Sequence, residues 1–154
     1  MKKQLYILLI FFCVIPSSFA QLKTYTFEEA EKLSEEKPKP FLVFIHTSWC
    51  NYCKMMENST FKKPEIIQLL NSNFYFISLD AENEDDIQFH NHTFKFKPKG
   101  QNAGIHELAT ALATINSQVA YPTVTILQTD YSIVFQKHSF LNPKELLAVL
   151  EKTK

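Results

Sequence analysis

Cys50 and Cys53 are the residues of this chain whose type and spacing most clearly point to chemistry. They sit in the stretch Trp49-Cys50-Asn51-Tyr52-Cys53-Lys54. An apolar run over residues 41–45 leads into it, and the helix-compatible Lys54-Met55-Met56-Glu57 follows. A Cys-x-x-Cys at a strand-to-helix junction reads as a redox dithiol. At a helix start, backbone N–H groups lack intrahelical partners and the helix dipole favours an anion. A cysteine there ionises more easily, and the thiolate is the nucleophilic form. Cys50, first in the motif and nearest solvent, is the expected attacking thiolate, and Cys53, one turn on, the thiol that resolves the mixed disulfide. No cationic side chain lies between them, which favours a reductant or isomerase over a strong oxidant. A structural disulfide and half of a zinc site are the competing readings.

The elements that would hold the motif can be read on either side of it. Thr26 and Glu29 form a capping box for a first helix that ends near Glu36, before Pro38 and Pro40. Residues 41–46 have the length and continuous apolarity of a central strand. Pro64 opens a further helix over 65–70, and residues 74–79 form the next strand. The segment 81–103 is irregular. Residues 81–86 are acidic and expected to be solvated, and residues 87–89 and 94–96 alternate as a hairpin around 90–93. Gly100 and Gly104, the only two glycines, bracket a loop. A helix is expected over 105–113, then strands over 123–127 and 133–136 turning at Thr129-Asp130. A last helix is capped by Asn142 with Pro143 at its first position.

The first twenty residues read as a secretory signal: Lys2 and Lys3, an apolar core over 5–15, and Ser18-Phe19-Ala20. A retained anchor is the competing reading. Cleavage would leave a domain over 21–154, about 134 residues, long enough for one real core. It would also remove Cys13 and leave only the two cysteines of the motif, with no disulfide framework for an oxidising compartment. Export is therefore expected, to a periplasm or to the exterior. The remaining 14 Lys face 16 acidic residues and there is no arginine, which argues against a nucleic-acid partner.

The chain resembles the thioredoxin superfamily in Trp49-Cys50-x-x-Cys53-Lys54 after its strand, in Tyr121-Pro122-Thr123 before the next strand pair, and in its element order. It is also similar to the periplasmic thioredoxin-like domain of the bacterial transmembrane thiol–disulfide interchange protein, through Cys50, Cys53, Lys54, Glu57, Thr60 and Phe61. The resemblance covers roughly residues 25–152 and implies an α/β thioredoxin fold: a central mixed sheet flanked by helices, with an inserted hairpin or loop around 81–103. It implies that Pro122 is cis and faces the dithiol, with Trp49, Tyr121 and Thr123 contacting the substrate. The implied partners are protein disulfides and a membrane electron-donor protein, and the implied state is a monomer without a cofactor. One departure stands out: Phe44 occupies the place where thioredoxins carry a buried aspartate six residues before the first cysteine.

Glu57 lies four residues after Cys53 and seven after Cys50, on one helical face with both. It is the candidate base for the Cys53 proton in place of the absent aspartate. His46, His90, His92 and His106 raise a metal question, and His90-x-His92 with Cys50 and Cys53 could supply four ligands. The spacing matches no standard finger, so no metal is expected. Two classes of function remain: an exported thiol–disulfide oxidoreductase, and a non-enzymatic thioredoxin-like module that binds a metal or a client.

Overall fold

A computed structural model describes residues 21–100 and 103–154. The expected leader lies outside the described residues. Strand β1 (Phe41–His46) is the centre of a four-stranded sheet. It pairs in parallel with β2 (Tyr75–Asp80), and Phe41 faces Tyr75 in register. On its other edge it runs antiparallel to β9 (Thr123–Leu127), with Ile45 opposite Thr123. The outer strand β10 (Ile133–His138) pairs antiparallel with β9 and carries a bulge between Ile133 and Phe135.

Helices cover both faces because every residue of β1 up to Ile45 is buried, which requires apolar cover above and below. Leu42 and Phe44 point toward one layer, where α2 (Asn51–Asn58), α3 (Pro64–Asn73) and α5 (Pro143–Thr153) supply Met56, Ile66, Leu70, Leu146 and Leu150. Phe41, Val43 and Ile45 point to the other. There α1 (Phe27–Glu36) supplies Phe27 and Ala30, and α4 (Glu107–Ala113) supplies Leu108 and Leu112. The capping boxes at Thr26/Glu29 and Asn142/Glu145 are both formed. They satisfy N–H groups that an uncapped helix start leaves open.

The segment between β2 and α4 is more structured than its sequence suggests. The expected hairpin forms, but tighter: β3 (Ile87–Phe89) and β4 (His92–Phe94) are joined by only His90 and Asn91. Both turn residues have positive φ, 50° and 58°, as a two-residue turn matching strand twist needs. A second hairpin follows, β5 (Phe96–Pro98) with β6 (Gly104–His106). It takes Ile105 and His106 out of the expected helix, so α4 starts at Glu107 with the His106 ring as its cap. A third small hairpin, β7 (Thr114–Ile115) with β8 (Gln118–Val119), turns on Asn116 and Ser117 at φ 50° and 64°. It was not expected, because neither strand is long enough to show a period. The acidic stretch also differs from expectation at its start. Ala81 is fully buried and Glu82 and Asn83 are half-buried, and only Glu84, Asp85 and Asp86 are exposed.

Candidate functional site

The dithiol sits where β1 gives way to α2. Thr47 ends the strand's run and its carbonyl accepts the N–H of Cys50 at 3.2 Å. Cys50 is the N-cap of α2, with extended backbone, and its Sγ accepts the N–H of Cys53 at 3.1 Å. The two cysteines are joined as a disulfide. Cys50 is 5% exposed and Cys53 1%, so the first cysteine is the more open, as expected, though only by its outermost edge. The helix start supplies N–H groups and the positive end of a dipole to the sulfur that would carry negative charge after reduction.

The wall behind the pair is apolar. Phe44 packs edge-on against Phe61 at 4.9 Å between ring centres, and both belong to the cluster that holds Cys50, Cys53 and Met56. The position that holds an aspartate in thioredoxins is therefore an aromatic wall. Glu57 is on α2, half-buried, four residues beyond Cys53. Thr60 is fully buried and its hydroxyl donates to the Leu141 carbonyl at 2.8 Å, fastening the short 3-10 turn Thr60–Lys62 to the approach to α5.

The Tyr121–Pro122 peptide is cis. The register of β9 on β1 carries Tyr121 and Pro122 just past the Ile45–Thr123 pair, at the end of the sheet from which the dithiol loop leaves. Tyr121 packs against the cluster of the cysteines, and its ring meets Trp49 edge-on at 6.0 Å. Trp49 is 62% exposed, and with Tyr52 and Met55 it makes an apolar collar around the buried pair. Thr123 differs from its expected part: it is fully buried and its hydroxyl donates to the Ala120 carbonyl at 2.6 Å. Its side chain serves the strand start and offers nothing to a partner.

Sequence reasoning passed over Glu82, and it did not foresee the state of the Tyr121 hydroxyl. The Trp49 indole N–H donates to the Glu82 carboxylate at 3.0 Å, which ties the insert to the dithiol. The Tyr121 hydroxyl is buried and has no hydrogen-bond partner. Burial pushes its pKa up to about 12, helped by the nearby carboxylates of Glu82 and Asp80. The only signal for Glu82 was its place in the acidic stretch just after a strand. Nothing local ties it to a tryptophan 33 residues earlier.

The histidines do not assemble with the cysteines. His46 bonds Ser78 Oγ at 2.9 Å and stacks on Phe44, while His106 is buried at the start of α4. The His90 ring lies on Tyr131, and the His90 N–H donates to Glu31 of α1. Among the described residues, no group of three or more His, Cys, Asp or Glu is arranged to hold a metal ion.

A family profile described as thioredoxin-like matches residues 22–128, the stretch that contains the dithiol and the cis proline. The chain belongs to the thioredoxin-like family. The thioredoxin fold is borne out by solved structures. A thioredoxin from Thermus thermophilus has a TM-score of 0.61 at 21% identity over 86% of each chain. The oxidised C-terminal domain of DsbD from Neisseria meningitidis has a TM-score of 0.55 at 18% identity, covering 86% of this chain and all of that one. In sequence, spermatogenesis-associated protein 20 of Mus musculus is 35% identical over 60 residues. Those residues are 39% of this chain but 8% of the mouse protein, so the chain spans a small part of that relative's length.

Proposed function

We propose that this chain is an exported thiol–disulfide oxidoreductase that reduces or isomerises protein disulfides, with Cys50 as attacking and Cys53 as resolving thiol. The observation that carries the reading is the placement of Cys50 as the N-cap of α2, its Sγ already accepting a backbone N–H. In the reduced protein the Cys50 thiolate attacks one sulfur of a client disulfide, and the other client sulfur leaves as a thiolate. Cys53 loses its proton and attacks Cys50 Sγ, closing the Cys50–Cys53 disulfide and releasing the second client sulfur. The client gains two electrons and the dithiol loses two. A membrane electron-donor protein then returns the pair to the reduced state. Glu57, four residues beyond Cys53 on α2, is the group that takes the Cys53 proton in this reading, directly or through one water. The collar of Trp49, Tyr52 and Met55 and the cis Pro122 beside it suit an extended client segment.

Reduction of a protein disulfide by the reduced chain tests the reading. Cys50→Ser is expected to abolish turnover, and Cys53→Ser to halt it as a trapped mixed disulfide. In the reduced chain, Cys50 should alkylate before Cys53 and at lower pH than an ordinary thiol near 8.5. Faster alkylation of Cys53 would reverse the assignment, and a Cys50→Ser chain with full turnover would overturn the function. Export is tested by N-terminal sequencing of secreted or periplasmic protein, where a start at Gln21 is expected and a start at Met1 would mean a retained anchor. The reduction potential of the pair then decides between reduction and isomerisation.

A further inference from the structure

Thr47 is 2% exposed and its hydroxyl has no hydrogen-bond partner. A buried hydroxyl without a partner destabilises the state that contains it and calls for an explanation. Its place is at the root of the dithiol. Thr47 opens the turn that ends at Cys50, and its carbonyl accepts the Cys50 N–H at 3.2 Å. The first and fourth residues of such a turn have Cα atoms within about 7 Å of each other. A threonine beside a helix start ordinarily turns its hydroxyl onto a backbone N–H. Here the Cys50 N–H goes to the Thr47 carbonyl and the Cys53 N–H to Cys50 Sγ, so the sulfur and not the threonine caps α2. The β1–β9 register, continued two residues past Ile45 and Thr123, brings Thr47 level with Tyr121, whose hydroxyl is likewise buried and unpaired. The two hydroxyls do not bond each other, and the Tyr121 phenol keeps its proton, with a pKa pushed up to about 12 by burial and then by Glu82 and Asp80. This end of the sheet therefore holds a buried donor with nothing to donate to while Cys50 and Cys53 are joined as a disulfide.

We propose that the Thr47 hydroxyl is a hydrogen-bond donor to the Cys50 thiolate in the reduced chain. The proposal rests on the exchange reading given above and adds a residue to it. Reduction takes up two electrons and one proton, breaks the Sγ–Sγ bond, and leaves Cys50 as a thiolate and Cys53 as a thiol. The Cys50 side chain is then free to rotate about its Cα–Cβ bond, on the same turn as Thr47. A thiolate is a charged acceptor, and a hydrogen bond to a charged group is roughly twice as strong as one between neutral groups. The hydroxyl thus acts in one redox state only. It lowers the Cys50 pKa, raises the thiolate fraction at neutral pH and favours the reduced pair. The bond is lost as the negative charge passes to the client sulfur, so the hydroxyl makes the thiolate more abundant but less nucleophilic.

Thr47→Val keeps the shape of the side chain and removes the hydroxyl, while Thr47→Ser keeps the hydroxyl. Alkylation of reduced Cys50 against pH is the first measurement. The Thr47→Val profile is expected to move to higher pH by about one unit, with an equal or higher limiting rate at alkaline pH, and the Thr47→Ser profile to stay with wild type. The other ionisable groups at this end are His46 on β1, Lys54 and Glu57 on α2, Asp80 and Glu82 at the end of β2, and Tyr121. All are the same in the three chains, so the difference isolates the hydroxyl. The equilibrium with glutathione should shift toward the disulfide by on the order of tenfold in Thr47→Val, about 30 mV for a two-electron pair. The urea midpoint should be unchanged or higher in the oxidised variant and lower in the reduced one. An unchanged Cys50 profile in Thr47→Val would overturn the proposal and leave the exchange reading standing. A loss of stability in the oxidised variant would overturn it too, since the hydroxyl would then have a partner, such as a water, before reduction. No reduction of any protein disulfide by the wild-type chain would overturn the exchange reading, and the part of Thr47 in it.

Discussion

The cluster that holds Cys53 contains Phe44, Met56 and Phe61, while the rim beside Trp49 carries Asp80, Glu82 and the Tyr121 hydroxyl. The two regions flank one dithiol. The first has no carboxylate where related folds keep one, and the second places a carboxylate directly on the tryptophan beside the first cysteine. A charge on the partner side steers and sorts what approaches, whereas a charge on the buried side governs a proton. The acidic groups at this end of the molecule lie on its rim, and the carboxylate on the buried side nearest in sequence to Cys53 is half-buried Glu57, one turn beyond it on α2.

The comparison breaks most sharply if the apolar wall is made polar. Phe44→Asp would place a carboxylate among Phe61, His46 and Met56 in a strand that is buried from Phe41 to Ile45. Burial of a poorly paired charge together with the loss of a packed ring should cost about 3 kcal/mol or more. Urea unfolding at neutral pH measures this, and wild-type stability in the variant would mean that the wall already tolerates charge.

Glu57→Gln sharpens the same side. Resolution by Cys53 should slow by roughly ten- to a hundredfold, with the first attack by Cys50 little changed. Stopped-flow reduction of a small disulfide separates the two steps. Wild-type rates for both across neutral pH would make Glu57 an ordinary helix residue.

On the rim, Glu82→Ala removes the acceptor of the Trp49 indole N–H. The loss of one largely exposed charge-assisted bond should cost about 1 kcal/mol or less. Trp49 is the only tryptophan, so its emission reports on this side chain alone. Its fluorescence anisotropy should fall in the variant, and an unchanged value would show that Tyr121 packing alone holds the ring.

The smallest effect at neutral pH belongs to Tyr121→Phe. The folded phenol has a pKa of about 12, raised by burial and then by Glu82 and Asp80, against 10.0 for the free side chain. The unfolded chain therefore ionises first. The stability tied to this group is fully present below about pH 10 and is lost as pH climbs toward 12. Wild type should lose stability over that window relative to Tyr121→Phe. Parallel alkaline unfolding curves for the two chains would show that the hydroxyl is solvated.

Much of this architecture was legible because its signals are local. Thr26 with Glu29, and Asn142 with Pro143 and Glu145, announce their helices within four residues, and both capping boxes are formed. The run 41–46 is apolar throughout because β1 is buried on both faces. The insert was read least well. Strands of two or three residues show no periodicity, and the turns at His90 and Asn91 in the insert, like those at Asn116 and Ser117 after α4, are in left-handed conformations that only pairing reveals. Thr123 carried the opposite error: its motif suggested contact with a partner, but its place in the sheet buries it.

The sequence by itself determined the Cys50–Cys53 motif and the strand and helix on either side of it, since each depends on neighbours within a few positions along the chain, whereas Pro122 came to the pair only through the family resemblance. Only the tertiary structure decided that Glu82 reaches Trp49, and that the Thr47 and Tyr121 hydroxyls are buried without a partner. Those facts depend on how β2 and the insert close over the end of β1. Contacts between residues tens of positions apart are set by the packing of whole elements, and no short pattern of residue types records them.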